Sequence, residues 1–344
     1  MTSEQDRTAA GIEVARAVAG QRSPFPSQNS STPWIEFEGV NLDRGGRPVL
    51  RDLSASLGGA AVGLVGANGA GKSTLIGALL GVLRARTGRI RVLGLELPAA
   101  AQEVRTRAGV MAEQAGVFPG GSGVEAVMFA GQLTGLRKKE ALRRAHRALD
   151  ALDVGEERYR PTHGYSTGMR QRCKLAMSLV HDPEILILDE PTVGLDPPGR
   201  LQLLELIRDL KTEGRRILIS THILQDAEFL CDELLLLQAG TVAYSGTISD
   251  LVGTRDEMLI ARGPRLGAQL AAALAESGTQ VLASNVDEVR FRSSPESLRV
   301  FWQLVANRAL EVRRLERHSL DFEDAVVEAM TGAGAGSQQR GVGR

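Results

Sequence analysis

Glycine, lysine and hydroxyl side chains fall at phosphate-binding spacing in Gly66-Ala67-Asn68-Gly69-Ala70-Gly71-Lys72-Ser73-Thr74, a complete G-x-x-x-x-G-K-[ST] pattern. Gly66, Gly69 and Gly71 let the backbone, with Asn68 between them, fold into a nest of N–H groups aimed at phosphate oxygens. The helix that Thr74 enters adds the partial positive charge of its N-terminus. Lys72 is placed to reach the β- and γ-phosphates of a nucleotide, and the Ser73 hydroxyl to hold Mg²⁺. Upstream, Ala61-Val62-Gly63-Leu64-Val65 reads as a buried strand, so the loop has the strand-turn-helix context its chemistry requires. A second group stands at Ile185-Leu186-Ile187-Leu188-Asp189-Glu190-Pro191. Four consecutive aliphatics fit a strand buried on both faces of a parallel sheet. Carboxylates at its C-terminal end lie where open α/β sheets bind ligands. Asp189 would hold Mg²⁺ directly or through water, and Glu190 would orient or deprotonate an attacking water.

Three further segments complete an ordered series. Tyr165-Ser166-Thr167-Gly168-Met169-Arg170-Gln171-Arg172 opens a helical run over 171–180, Gly194-Leu195-Asp196-Pro197 follows the acidic pair, and Ile217-Leu218-Ile219-Ser220-Thr221-His222 is a strand ending in histidine. A serine and a glycine at a helix N-terminus offer a hydroxyl and bare N–H groups to a phosphate. A histidine that is neutral at pH 7 suits contact with a phosphate or a water. In this order and spacing, over about 34–247, the chain resembles the ATP-binding-cassette (ABC) ATPases. The resemblance implies ATP as substrate, Mg²⁺ as cofactor, Ser166 and Gly168 in the signature motif, Asp196 in the D-loop, and His222 as the switch histidine. It also implies two ATPase domains packed head to tail, each signature closing over the other's ATP. The chain carries one phosphate loop and one signature, so a second copy of itself is the economical partner.

Two positions depart from the family pattern. Anchoring on Gly116-Val117-Phe118-Pro119 puts Glu113, with Gln114 beside it, at the family's glutamine-loop position; either side chain can reach Mg²⁺ through an oxygen. The aromatic that stacks on adenine in the family is replaced by Arg44, whose guanidinium plane can also stack on a base.

The elements that must position these residues divide the chain. Residues 1–32 end in a polar, Pro- and Ser-rich run that reads as a mobile tail. Residues 33–250 are expected to form an α/β domain of the P-loop NTPase type, a mixed sheet core carrying a helical subdomain over about 119–180. A helix is expected over 201–210, and a closing helix over 226–233. Residues 251–330 change character and read as a small α+β domain. Strands at Met258-Leu259-Ile260-Ala261, Gln280-Val281-Leu282-Ala283, Val289-Arg290-Phe291-Arg292 and Leu310-Glu311-Val312-Arg313-Arg314-Leu315 alternate with helices over 266–277 and 295–306. That β-α-β-β-α-β order is ferredoxin-like. Ser319 is the expected N-cap of a last helix, and 331–344 reads as a flexible Gly-rich tail. The run Ser319-Leu320-Asp321-Phe322-Glu323-Asp324-Ala325-Val326 resembles the ending of exporter-type ABC subunits. This implies a separately encoded multi-span membrane permease and a peripheral place on the cytoplasmic face of the cell membrane.

Composition limits the alternatives. Lys plus Arg and Asp plus Glu number 41 each over 344 residues, so no bulk field attracts nucleic acid and no such partner is expected. Arg137, Lys138, Lys139, Arg143, Arg144 and Arg147 face only Glu140 and read as a solvated helix face. Cys173 and Cys231 are too few for a disulfide framework or a zinc site and suit a reducing cytosol. No apolar stretch approaches the roughly 20 residues needed to span a bilayer, and no signal-peptide h-region is expected. The competing reading is a soluble cassette ATPase acting on ribosomes or DNA. It suits this chain less, because the interval between phosphate loop and signature holds no sustained heptads.

Overall fold

Ile35, Phe37, Val40 and Leu42 are buried along the first strand while their neighbours are not, the alternation of a sheet with one covered face. The computed structural model describes residues 32–113, 121–252, 257–319 and 322–331. The expected tails, Gln114 and the anchor Gly116-Val117-Phe118-Pro119 lie outside the described residues, apart from Thr32 and Thr331 at their edges. Contacts divide the chain at Thr247/Ile248 into two units.

The first unit runs β1 (Ile35–Arg44), β2 (Arg47–Leu57), β3 (Ala61–Gly66), α1 (Lys72–Leu79), β4 (Thr87–Val92), β5 (Leu95–Leu97), α2 (Ala101–Arg107) and β6 (Ala108–Met111). It continues with α3 (Gly123–Leu133), α4 (Lys138–Ala151), α5 (Thr167–Leu179), β7 (Ile185–Asp189), α6 (Pro197–Thr212), β8 (Arg216–Thr221), α7 (Leu224–Leu230), β9 (Glu233–Gln238) and β10 (Thr241–Thr247). One sheet is antiparallel, in the order β2-β1-β4-β5; the other has the order β10-β9-β3-β8-β7-β6 and is parallel except for β10 at its edge. Every residue of β3 and β7 is buried. The reason is cover on both faces. Val62, Leu64, Ile185 and Ile187 pack with Phe37, Leu42, Leu50 and Leu53 of the antiparallel sheet. On the other side a Cβ at Gly63 would come within 2.7 Å of Leu234 and 3.1 Å of Cys231, so only glycine lets the strand approach its neighbours there. Each buried aliphatic in this core is worth about 1.5–3 kcal/mol.

Two local signals set the helices. Ser122 and Glu125 form a reciprocal capping box that starts α3. Pro197 occupies the first turn of α6, where its missing N–H costs nothing, so the helix expected over 201–210 begins earlier, at Pro197. On α4 the small face Ala141, Ala145 and Ala148 is buried, which lets α3 and α5 pack closely beside it.

The C-terminal end of α6 carries an unfavourable charge. Glu213 caps the helix where the dipole is negative. Its side chain is 14% exposed with Arg215 Nε 3.8 Å away, and neither carboxylate oxygen has a hydrogen-bond partner. Burial pushes this carboxyl up to about 7, Asp209 and Asp182 adding to the shift against the opposing Arg215 charge. The folded state therefore holds a proton that the unfolded chain, with its lower pKa, releases. The stabilising contribution is complete below the unfolded value and is lost as pH rises through about 7. Glu213→Gln is expected to stabilise the protein at pH 8 by about 2 kcal/mol and to flatten the pH dependence of thermal melting between pH 5 and 8. Superimposable melting profiles of the two proteins would refute this.

The second unit comprises α8 (Ile248–Val252), β11 (Glu257–Arg262), α9 (Leu266–Glu276), β12 (Val281–Ser284), β13 (Glu288–Arg292), α10 (Pro295–Asn307), β14 (Arg314–Ser319) and α11 (Phe322–Thr331). Its sheet is antiparallel with order β12-β13-β11-β14, the ferredoxin-like arrangement. Leu259, Leu266, Leu270, Leu274, Val289, Phe291 and Phe301 form its core, with the Phe291 and Phe301 rings stacked at 5.1 Å. One strand differs from expectation. The expected strand covers Leu310 to Leu315, whereas the strand is Arg314–Ser319, paired residue for residue with Glu257–Arg262. Full-length pairing with β11 decides the register, while Leu310 and Val312 pack on the core from the preceding segment. Ser319, expected as an N-cap, is thus the last strand residue, opposite Glu257.

Candidate active site

Strand order brings distant residues to one edge of the parallel sheet. β8 lies between β3 and β7, with Val65 level with Thr221 and Asp189 level with Ser220. The phosphate loop leaves β3, Asp189 and Glu190 leave β7, and His222 leaves β8 at the same end.

Within the loop, Gly71 caps α1 at φ 109°, and a Cβ there would sit 2.6 Å from Leu50. A Cβ at Gly66 would sit 2.6 Å from the Leu237 carbonyl. Gly69 has φ +83° with no neighbour within 4 Å of a Cβ, so its backbone is required and the space above it is open. Asn68 is exposed beside it, and Thr74 is buried in the first turn of α1. This is a backbone cradle that side chains would fill or distort, and it fits a polyphosphate.

The Lys72 ammonium donates to the Gly66 carbonyl at 2.6 Å and pairs with Glu190 Oε1 at 3.3 Å. Both side chains are nearly buried, so each charge depends on the other for compensation. The Ser73 hydroxyl donates to Asp189 Oδ2 at 3.4 Å. A hydroxyl and a carboxylate suit a hard cation such as Mg²⁺, which takes one or two protein oxygens and fills its shell with phosphate and water. The described residues contain no cluster of three His, Cys, Asp or Glu able to hold a metal by themselves.

Glu190 has φ 49°, a left-handed backbone that costs a non-glycine residue of order 1 kcal/mol or more. Its N–H donates to the Ser220 carbonyl at 2.9 Å, which holds the turn. The turn directs the carboxylate to two partners, Lys72 through Oε1 and His222 Nδ1 through Oε2 at 2.9 Å. The His222 side chain is 47% exposed, so the pair reaches the surface on one side only.

Other expected residues stand elsewhere. Ser166 caps α5, its hydroxyl accepting from the Met169 N–H at 3.2 Å, and Gly168 lies in the first turn. Both line a cavity of about 180 Å³ with Met169, Arg172, Leu195 and Gly199. Asp196 precedes α6 and makes no side-chain cap bond. Glu113 is exposed, and its carbonyl accepts from Lys174 Nζ at 2.8 Å. Arg44 is exposed at the end of β1, paired with Arg47 across Gly45 and Gly46, whose φ values of 58° and 75° suit a tight two-residue hairpin turn. The other arm of that hairpin carries Leu50, which packs on Gly71.

A further group escaped the sequence reading. Asp226 is fully buried, accepts from Arg200 Nε at 2.5 Å through Oδ1 and from the Thr192 hydroxyl through Oδ2. The signal was present, because Asp226 shares the apolar face of α7 with Leu230 four residues on. Gln171 on α5 likewise reaches the same loop, donating to the Val193 carbonyl at 3.3 Å.

The sequence matches the ABC transporter family over residues 50–193. It is 34% identical over 242 residues to the daunorubicin resistance ATP-binding protein DrrA3 of Streptomyces coeruleorubidus, covering 69% of this chain and 77% of that one. It is 31% identical over 295 residues to the Nod factor export ATP-binding protein I of Rhizobium meliloti (strain 1021), covering 84% and 85%. A solved ATP binding subunit of an ABC transporter superposes with a TM-score of 0.57 at 30% identity, over 63% of this chain and 91% of that one. With the cassette sheet and its nucleotide cradle, this kinship means that the chain belongs to the ABC transporter family, as an ATP-binding subunit that hydrolyses ATP.

Proposed function

We propose that this ATPase powers export through a separately encoded multi-span permease, working as a pair of copies on the cytoplasmic face of the cell membrane. The single observation that carries the catalytic part is the junction of Lys72, Glu190 and His222 in one chain of contacts beside Ser73 and Asp189. Export is supported by relatives named for resistance and export systems. Among the described residues no helix is long and apolar enough to cross a membrane, so a transport role requires a partner that does.

In this reading the N–H groups from Gly66 to Thr74 bind the triphosphate, and Lys72 turns from Glu190 toward the β- and γ-phosphate oxygens. Ser73 and Asp189 would hold Mg²⁺, which when bound offsets phosphate charge. Glu113 or Gln114 would contribute a further oxygen, and Arg44 would stack on the base. Glu190, relieved of its lysine, accepts a proton from the water that attacks the γ-phosphorus in line; the bond to the bridging oxygen breaks and ADP leaves with that electron pair. His222 donates through Nδ1 to Glu190 and so holds the carboxylate toward the water. Ser166 and Gly168 stand apart from this junction, as they would if they served the nucleotide of a second copy, with Asp196 in the same contact face.

Ser166→Arg is therefore expected to leave the ATP affinity of the isolated chain within about twofold while lowering steady-state hydrolysis about tenfold or more, because the second face of the phosphate is blocked. Unchanged hydrolysis would count against the paired arrangement. The transport reading is tested by purifying a tagged Glu190→Gln chain from detergent-solubilised membranes and from cytosol. A co-purifying multi-span membrane protein supports it; recovery only with ribosomal or DNA-associated proteins overturns it.

A further inference from the structure

We infer that Asp226 is a positioning residue for hydrolysis, which sets the Glu190–His222 contact from behind through Thr192 and Arg200; the inference rests on the catalytic reading of Glu190. Thr192 lies two residues beyond Glu190, and Asp226 four beyond His222. The hydroxyl–carboxylate bond between them joins the two segments just past the two members of the reacting pair. Thr192 is 2% exposed and Asp226 0%, so water cannot substitute for either partner.

The rest of the network makes the carboxylate a hub. Arg200 donates to Asp226 Oδ1 at 2.5 Å and reaches Gln225 at 3.5 Å, and its own N–H donates to the Asp196 carbonyl at 2.9 Å. Asp226 therefore ties the first turn of α6, the loop after Glu190 and the first turn of α7 to one point. That loop has further anchors, since Glu190 N–H bonds Ser220 and the Val193 carbonyl accepts from Gln171. Among the described contacts His222 has no comparable clamp of its own, being half exposed and followed by the local bonds Ile223 N–H to Thr221 Oγ1 and Asp226 N–H to the Ile223 carbonyl. Fixing α7 through Asp226 is what holds the imidazole at 2.9 Å from Glu190. A carboxylate suits the position because each oxygen serves one donor, Oδ1 the guanidinium and Oδ2 the hydroxyl, and its charge balances Arg200; an amide would lose that charge and turn an NH2 toward one of the two donors.

The test compares single-turnover hydrolysis per titrated ATP site in Asp226→Asn, Thr192→Val and Glu190→Gln, with ATP affinity measured by calorimetry. Normalising to titrated sites removes any loss of folded protein, which a merely structural role would produce. The expected result is a roughly ten- to hundredfold fall in rate for Asp226→Asn and Thr192→Val, with affinity within about threefold. Combining Asp226→Asn with Glu190→Gln is expected to add little to the loss of Glu190→Gln alone, because residues acting as one unit are not additive. Thr192→Val removes a single hydroxyl and carries the test if Asp226→Asn does not fold. Wild-type rates per site in Thr192→Val or in folded Asp226→Asn, with Glu190→Gln impaired, would overturn the inference alone. A wild-type rate in Glu190→Gln would instead remove the catalytic reading on which it stands.

Discussion

Glu190→Gln is expected to lower ATP turnover by about 10²–10⁴-fold while ATP binding persists, since glutamine keeps the shape and one acceptor oxygen but cannot take a proton. The geometry makes the effect specific. Oε1 faces Lys72 and Oε2 faces His222, and no other carboxylate in the described contacts touches either group. Removing the negative charge also frees Lys72 from its 3.3 Å pairing, so ATP affinity should hold steady or rise. Phosphate release under saturating ATP, with nucleotide affinity by calorimetry, reads both quantities. Near-wild-type turnover would refute the assignment of Glu190 as the base.

Lys72→Ala is expected to weaken ATP binding by about a hundredfold, the loss of charge-assisted hydrogen bonds to phosphate worth about 1.5–3 kcal/mol each. It should also destabilise the protein without nucleotide, because Glu190 is 6% exposed and would lose the ammonium group that compensates its charge. Breaking one side of a buried pair costs about 3–5 kcal/mol, whereas removing both sides costs much less. The double variant Lys72→Ala/Glu190→Gln should therefore recover much of the melting temperature lost by Lys72→Ala while remaining unable to bind ATP tightly. Equal melting of the single and double variants would mean that the Lys72–Glu190 pair contributes nothing, and unchanged affinity would count against the cradle as the nucleotide site.

Much of the fold was legible because its signals are local. Continuous apolar runs mark β3 and β7, and the segments Met258-Leu259-Ile260-Ala261 and Val289-Arg290-Phe291-Arg292 mark β11 and β13 of the second unit. The failure at Leu310 to Leu315 has a physical cause: Leu310 and Val312 are apolar because they pack on the core from outside the strand, and pairing with β11 over its full length outweighs their pattern. The chemical groups were legible where they are contiguous, as in the phosphate loop and Asp189-Glu190. What joins them was not. The contacts of Lys72 with Glu190 and of Glu190 with His222 depend on the strand order β3-β8-β7, which sequence spacing does not encode. The Thr192–Asp226–Arg200 network is less legible still: the spacing to Leu230 puts Asp226 on the buried face of α7, but which groups meet it there is set by how α6 and the loop after Glu190 pack.

The strand order also has a consequence for biosynthesis. β3 pairs on one side with β8 and on the other with β9, both made long after it. Val65 and its partner Leu236 are roughly 170 residues apart, so at translation rates of about 5–20 residues per second the apolar phosphate-loop strand waits on the order of 10–30 s for its neighbours. During that interval both of its edges are open to other chains, which makes the emerging ribosome-bound chain, rather than the finished ATPase, the form most exposed to aggregation.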